Sequence, residues 1–545
     1  MTVTEFNLLS EAWIPVHRTN GEQGLVSIVE IFDQASTIRG VGGDIPTQAF
    51  ALQRILLAIV HRAIDWGDKP EKRWAQIWKD GQFPVGEIES YTQRFAHRFD
   101  LLDTVEPFFQ VADLATAKGE FTSLERIIAD VPSNEKYFTT RAGPSLASIP
   151  YAEAARWIVH CQAFDPSGIK SGDPRDRRVK NGKGYPIGVA WSGQLGGVLF
   201  EGTNLFQTLL LNTVLRNRAG DLAPLADAPV WERDHAGAAA REDPTPLGPT
   251  DLLTWQSRRL RLDHDGESVR GVLIMNGDAA STHNRFDMEF LTPWRFSEPQ
   301  SKKFGDVRYL PQDHKSERAL WRGVTALLSD VSDPKVDGRM KSLAPGVAHW
   351  LDRLVDGGYL DKKLTVRPHA LGLAYINQSS IVGESIDDVL QIHLALLGRY
   401  SETRSYATTA VGAADGAIAA LANLAGNLAA ASGGESDGPR SVARAEAFFA
   451  LDAPFRRWLA QLTDDTDLED YLGEWHRTVK STVEPMSRAL IESAGAPAFV
   501  GRTVRERHVD SSQAAVWFRQ ALRKELVHAF PAMPKPDASK EGASV

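Results

Sequence analysis

Cysteine is almost absent from this chain of 545 residues, which contains a single one, Cys161. One cysteine excludes an internal disulfide and any zinc site built from several cysteines, and its apolar surroundings are typical of a buried residue. Long apolar runs are also missing. The alanine-rich segment 407–431 comes nearest, but an aspartate, two asparagines and three glycines interrupt it. The opening residues show no basic stretch followed by an apolar one, so we expect no signal peptide and a cytoplasmic protein.

Positive charge is not in excess. The chain has 61 basic and 70 acidic residues, a net charge of −9 and a pI of about 5.9. Proteins that bind nucleic acid on their own usually carry a basic footprint, so this balance argues against strong DNA binding by the isolated chain. It is compatible with a local basic patch that acts inside a larger assembly.

Signatures of catalysis are missing as well. The glycine cluster 40–44 lacks the Lys-Ser/Thr pair of a phosphate-binding loop, and the chain has neither an H-E-x-x-H nor a G-x-S-x-G motif. The triplet D-H-D at 263–265 is a poor chelate, because neighbouring side chains of a strand point to opposite faces. We therefore expect no enzymatic activity, no metal and no cofactor. A soluble enzyme with a site assembled from distant residues stays open as an alternative.

The pattern of apolar and polar residues changes near residue 400. Before it, short apolar runs broken by Gly, Pro and Asp predict a mixed α/β domain with strands at Trp13–Val16 and Leu25–Phe32. After it, four helical patterns predict an antiparallel four-helix bundle, at about 403–431, 440–462, 467–493 and 510–530. We predict an α+β protein with a mixed domain at 1–400, a bundle at 401–530 and a disordered tail at 531–545.

A basic, glycine-interrupted stretch at 168–186, the basic loop, stands out from this acidic background. Its cations are Lys170, Arg175, Arg177, Arg178, Lys180 and Lys183. Such a loop can follow a phosphate backbone, because glycine lets the main chain come close while the cations neutralise charge. A merely solvated loop has the same composition, and composition alone favours neither. A second basic cluster, Arg502, Arg505, Arg507, Arg519, Arg523 and Lys524, is more typical of an exposed helix face.

Several short segments follow one another in a familiar order. They are N-L-L-x-E-x-W-I-P-V at 7–16, G-D-I-P-T-Q at 43–48, E-P-F-F-Q at 106–110, I-K-S-G at 169–172 and N-Q-S-S at 377–380. Together with the closing bundle, this order resembles the CasA-type large subunit of the type I-E CRISPR Cascade complex. The resemblance spans nearly the whole chain.

The resemblance implies a non-catalytic subunit that recognises a short motif, the PAM, beside the target in double-stranded DNA and starts duplex opening for R-loop formation. The partners that it implies are the other Cascade subunits, the crRNA and a trans-acting helicase–nuclease, with no membrane. A scaffold that never touches DNA is a further alternative, and it predicts that Gln378 and Lys170 are dispensable.

The resemblance also assigns roles to residues. It makes Gln378 a wedge into the duplex with Asn377 as its neighbour, and it places Ser167, Gly168 and Lys170 in a loop at the groove. Arg285, in H-N-R-F, takes the place of a lysine that enters the minor groove. Phe138 and Thr140, in K-Y-F-T-T-R-A-G, fall in a loop that contacts the guide RNA and neighbouring subunits, although the family pattern has asparagine where Thr140 stands.

Overall fold

The computed structural model describes residues 5–131, 141, 144–312, 340–398, 401–463, 465–504 and 507–530. The chain divides into two compact units, Met1–Arg399 and Tyr400–Val545. The first mixes helices and strands and the second is a four-helix bundle, so the predicted α+β class is confirmed. The predicted tail 531–545 and the predicted contact residues Phe138 and Thr140 lie outside the described residues.

The first unit contains ten described α-helices and fourteen described strands. The helices are α1 (Ile28–Asp33), α2 (Pro46–Ala63), α3 (Pro70–Asp80), α4 (Val85–Arg94), α5 (Pro144–Ala147), α6 (Tyr151–Phe164), α7 (Leu205–Leu211), α8 (Pro249–Leu253), α9 (Glu298–Phe304) and α10 (Gly346–Asp356). The strands are β1 (Ile14–Arg18), β2 (Gln23–Val26), β3 (Ile38–Val41), β4 (Lys170–Ser171), β5 (Lys183–Gly184), β6 (Gly197–Glu201), β7 (Arg258–His264), β8 (Val269–Asn276), β9 (Trp294–Phe296), β10 (Tyr309–Pro311), β11 (Ser342–Leu343), β12 (Thr365–Ile376), β13 (Ile381–Val389) and β14 (Ile392–His393).

The chain enters the first unit through the antiparallel sheet β2-β1-β3. The predicted strand Leu25–Phe32 is wrong beyond Val26, because a helix begins at Ile28. Ser27 starts that helix with a capping box: its hydroxyl accepts from the N–H of Glu30, and the Glu30 carboxylate accepts from the N–H of Ser27. These reciprocal bonds satisfy two amides that a helix start leaves free, so the local polar chemistry outweighs the β-branched residues that follow.

A four-stranded antiparallel sheet forms the part of the first unit that carries the candidate site. Its long strand β12 pairs with β6, β13 and β14, and its β12–β13 hairpin extends beyond the other two strands. Helix α2 packs against both β12 and α6. Gly197 permits this approach at β6, because a Cβ there would lie 2.2 Å from the ring of Phe50. The sheet therefore fixes the base of the hairpin to buried helices.

The described residues of the second unit form four long α-helices, one short α-helix, a small hairpin and a closing turn of 3-10 helix at Val527–Ala529. The helices are α11 (Glu402–Ser432), α12 (Asp437–Gln461), α13 (Leu468–Ser493), the short α14 (Gly495–Val500) and α15 (Ser511–Glu525), and the hairpin joins β15 (Arg502–Val504) to β16 (Arg507–Val509). Helix α11 contacts α12, α13 and α15 and is therefore central. It is the one described helix that is long and apolar enough to cross a membrane, and 67% of its most apolar stretch is buried in the structure.

Candidate nucleic-acid interface

The β12–β13 hairpin ends in a tip, residues 377–380, with an unusual backbone. Asn377, Gln378 and Ser379 have φ angles of 50°, 57° and 63°, in the left-handed region that non-glycine residues seldom occupy. The Ser380 hydroxyl donates to the carbonyl oxygen of Asn377 over 2.7 Å and closes the turn. Backbone strain of this kind is concentrated at functional sites, because the surrounding structure must hold it in place.

A β-bulge shapes the strand that leads away from the tip. Ala374 pairs with Glu384 and Tyr375 with Val382, so Gly383 is left unpaired between them. A Cβ at Gly383 would lie 2.9 Å from the side chain of Ile376, which is 50% exposed. The hairpin thus presents an exposed apolar side chain directly beside Asn377 and Gln378.

The loop at residues 165–168, the Ser167 loop, lies against this tip. The N–H of Ser167 donates to the carbonyl oxygen of Ser379 over 2.8 Å, and the Tyr375 hydroxyl donates to the carbonyl oxygen of Phe164 over 2.6 Å. Gly168 has a φ of 154°, which a side chain rarely tolerates. Two predicted pieces of the site that are far apart in sequence are therefore in direct contact.

A cavity of about 640 Å³ opens beside this contact. The Ser167 loop lines one side of it, and Ser380, Ile381 and Val382 of the hairpin line another. The buried residues His160 and Phe164 of α6 also line it. Burial lowers the pKa of His160 to about 3, so this imidazole is neutral. The loop and the hairpin thus share one concave surface, whose lining also includes the charged residues Asp165 and Lys170.

The cations of the basic loop fall into two groups. Lys170 is 13% exposed and pairs with Asp165 over 2.6 Å, while Arg175 and Arg178 are half exposed and pair with aspartates. The hydrogen bond from Arg175 lowers the pKa of its partner Asp173 to about 2, so this carboxylate is ionised and neutralises the cation. The other three cations, Arg177, Lys180 and Lys183, are exposed and have no ion pair among the residues that the structure describes.

Arg285 occupies a separate loop. Its guanidinium Nε donates to the carbonyl oxygen of Ser281 over 3.2 Å, and burial lowers its pKa from the ordinary arginine value. The preceding residue, Asn284, has a φ of 54°, and its side chain accepts from the N–H of Tyr309. Within the described part of the chain, no hydrogen bond or ion pair joins Arg285 to the hairpin tip. The structure thus unites the predicted Ser167 loop and hairpin but leaves Arg285 outside that contact.

Two largely buried groups at this site were not singled out from the sequence. Arg258 binds the Ser167 loop from beneath, and His369 in β12 lies between Glu201 and Asp387, with Nδ1 2.7 Å and Nε2 2.6 Å from their carboxylates. Burial lowers the pKa of His369, but bonding to these carboxylates outweighs it, so the pKa is raised above its usual value. Only the distant partners reveal either residue, since neither lies in a recognisable local motif.

The described residues offer no obvious place for a metal. Across the described ranges, no group of three or more histidine, cysteine, aspartate or glutamate side chains is arranged to hold an ion. The chemistry that the candidate site presents is that of main-chain amides, side-chain amides, hydroxyls and cations. Groups of these kinds contact nucleic acids through phosphates and base edges.

The family described as CRISPR-associated protein Cse1 matches residues 7–485 of this chain. The chain belongs to this family. The resemblance inferred from the short sequence segments is therefore confirmed.

Solved structures and a curated relative agree with this assignment. Cse1 from Thermobifida fusca is 40% identical, with a TM-score of 0.88 over 97% of this chain and 99% of that one. The CasA/Cse1 protein of Thermus thermophilus is 29% identical over 380 residues, which are 67% of each protein. A chain from a structure of a CRISPR RNA-guided surveillance complex has the same fold at 15% identity, with a TM-score of 0.59 over 96% of this chain and 99% of that one.

Proposed function

We propose that this Cse1-family chain is the non-catalytic large subunit of a CRISPR RNA-guided surveillance complex and recognises the PAM in double-stranded target DNA. It then starts the duplex opening that leads to an R-loop. In this role it assembles in the cytoplasm with crRNA and the other Cascade subunits and helps to recruit a helicase–nuclease. Membership in the Cse1 family and the similarity to a chain of a CRISPR RNA-guided surveillance complex support the assembly with crRNA and other subunits, and the resemblance of the sequence segments supports the finer roles.

The contact between the Ser167 loop and the hairpin tip is the observation that carries the proposal. A main-chain bond from Ser167 to Ser379 fixes the spacing between the half-buried Ser167 loop and the exposed hairpin tip, which bears the amides of Asn377 and Gln378. Side chains that insert beside a base step unstack it, and apolar side chains, isoleucine among them, perform this role in other minor-groove proteins. Ile376 places such a side chain next to the two amides. One loop thus holds the duplex at a defined place while the other enters it.

The net charge of −9 agrees with a division of labour between protein and guide. In RNA-guided recognition, base pairing reads most of the sequence and the protein reads only a short motif and the backbone. A local contact is then sufficient, because the rest of the complex holds the target. We accordingly expect the isolated chain to bind duplex DNA weakly, and nanomolar, sequence-specific binding by the pure chain would contradict the proposal.

The test is the rate of R-loop formation by the assembled complex when Asn377 and Gln378 are both replaced by alanine. Opening one stacked step costs about 1.4 kcal/mol on average. Loss of the group that offsets this cost should therefore slow opening on a fully paired target by up to about tenfold. A target with a bubble already open beside the motif should react at the normal rate. Permanganate footprinting on both substrates measures the difference.

Glycine variants supply the matched control for this experiment. Alanine strains the left-handed backbone at φ angles of 50° and 57°, whereas glycine adopts these angles freely. Asn377→Gly with Gln378→Gly should therefore be as slow as the alanine pair if the side chains do the opening. If only the alanine pair is slow, backbone strain is the cause. If both substrates slow equally, the tip is a general contact or a structural turn and the wedge role is wrong.

A further inference from the structure

Arg258, in β7, lies beneath the Ser167 loop with 1% of its side chain exposed. Its guanidinium binds the Asp165 carboxylate and donates to four carbonyl oxygens, those of Asp165, Pro166, Gly188 and Ser257, over 2.9–3.2 Å. The Pro166 carbonyl belongs to the peptide group whose N–H is that of Ser167. A single buried side chain thus holds the peptide that meets the hairpin tip.

Asp165 connects Arg258 to a second cation. Its carboxylate lies 2.6 Å from the Lys170 ammonium, so three charged side chains meet under the loop. Burial alone raises the pKa of Asp165, but the attraction of Lys170 and Arg258 outweighs it and holds the pKa below its usual value. Burial of such a group costs free energy, and apolar side chains of similar volume are often at least as stabilising. Stability alone therefore does not explain why these charges lie here.

The position of these three side chains, Arg258, Asp165 and Lys170, suggests an explanation. Residues 165–167 belong to no helix or strand, so no ladder of backbone bonds fixes their shape. The planar fork of an arginine can hold several acceptors in one rigid arrangement, which a lysine cannot do. Sites that read a partner need their contacting groups fixed in advance by such supporting bonds.

We propose that Arg258 and Asp165, with Lys170, are positioning residues that preset the Ser167 loop against the hairpin tip before DNA binds. The inference rests on the proposed function for its consequence in DNA recognition, but the positioning itself is a property of the free protein. The two parts can therefore be tested separately.

The first test replaces Arg258 by lysine in the free full-length protein. Arg259, the next residue of β7, supplies the matched control: it is also 1% exposed and pairs with Asp278 over 2.8 Å, on the opposite face of the strand. Arg258→Lys should speed amide hydrogen exchange at Ser167 on the order of tenfold, the effect of losing about one hydrogen bond. Arg259→Lys should leave that amide at the wild-type rate. Equal exchange at Ser167 in the two variants overturns the proposal.

The second test uses the assembled complex and a duplex library randomised beside the target. Arg258→Lys should reduce discrimination between the selected motif and its single-base variants on the order of tenfold, the effect of removing one hydrogen-bonded pairing with a base edge. Arg259→Lys should leave that discrimination unchanged.

Lys170→Met, at a less buried position, keeps the test decisive if Arg258→Lys fails to fold. This variant should reduce discrimination between the selected motif and its single-base variants without changing the salt dependence of binding. If the slope of log affinity against log salt falls by about one unit, Lys170 is a phosphate contact and does not position the loop. If replacing Asn377 and Gln378 by alanine does not slow R-loop formation, the proposed function fails, whatever the result for Arg258→Lys. If that replacement slows opening while Arg258→Lys matches Arg259→Lys, only the positioning inference fails.

Discussion

Different interactions stabilise the hairpin region and the helical bundle, each within itself. Helix α11 of the bundle buries mostly alanine and leucine, and small residues such as Gly416 let neighbouring helices come close. The Ser167 loop rests instead on buried charges and on one main-chain bond to a strained turn. Apolar packing is non-directional and rises with the area buried, whereas an ion-held loop keeps its shape only while each partner is present. A change in the bundle should therefore be felt as lower stability, and a change at the loop as weaker recognition.

The largest effect expected from this contrast follows removal of Trp475 from the bundle. Its side chain is 1% exposed, its indole N–H donates to the carbonyl oxygen of Ala410 over 2.9 Å, and it packs edge-on against Phe455. Trp475→Ala should lower the free energy of unfolding by about 3–5 kcal/mol, as measured by denaturant titration. Phe449→Ala is the control, because Phe449 is 86% exposed and should change stability by less than about 0.5 kcal/mol. Equal losses of unfolding free energy in the two variants would mean that Trp475 contributes no more to the stability of the bundle than an exposed side chain does.

A smaller effect, on recognition, is expected from the unpaired cations of the basic loop. Replacement of Arg177, Lys180 and Lys183 by glutamine should reduce the slope of log affinity against log salt by about 0.9 for each phosphate that is no longer neutralised. Replacement of Arg175 and Arg178 by glutamine should change the slope less, because aspartates already neutralise these two side chains. Target binding by the assembled complex at several salt concentrations measures both slopes. If replacement of these three cations leaves the slope of log affinity against log salt unchanged, the basic loop is a solvated surface.

The smallest effect expected concerns His369 at the base of the hairpin. Its folded-state pKa is raised above the ordinary 6.5 by Glu201 and Asp387, so its contribution to stability is complete below about pH 6.5 and is lost as pH rises through the folded-state pKa. The difference in stability between the wild type and His369→Gln should therefore be under about 1 kcal/mol and should shrink with rising pH. Thermal unfolding across pH 5.5–9 checks the sign, and a difference that grows with pH would contradict it.

The sequence predicted the bundle well and the interior of the site poorly, for a physical reason. The four predicted helices begin and end within a few residues of the observed ones, because helical periodicity is a local property. The Ser27–Glu30 capping box is also a local signal, and attention to it would have corrected the strand predicted at Leu25–Phe32. Arg258 and His369 have no such signal. Asp165 lies 93 residues from Arg258, and Glu201 and Asp387 lie 168 and 18 residues from His369, so only the folded structure reveals these pairings.

The Ser167 loop and the hairpin tip stand between these two cases. Ser167, Gly168, Asn377 and Gln378 were found through short segments in a familiar order, and the structure then showed that their loops touch. The segments could not reveal that contact, because main-chain pairing across so long a separation leaves no pattern in either segment. The roles assigned to these residues and to Arg285 stay predictions.

The bond from Tyr375 to Phe164 spans 211 residues, which has a consequence for how the protein is made. At about 5–20 residues per second, on the order of 10–40 s pass between synthesis of the two ends. During that interval Phe164 has already left the ribosome without its partner strand, and closing so long a loop adds an entropic cost that slows folding. The contact between the end of α6 and the hairpin is thus completed late during translation, and a chain truncated before residue 375 lacks it.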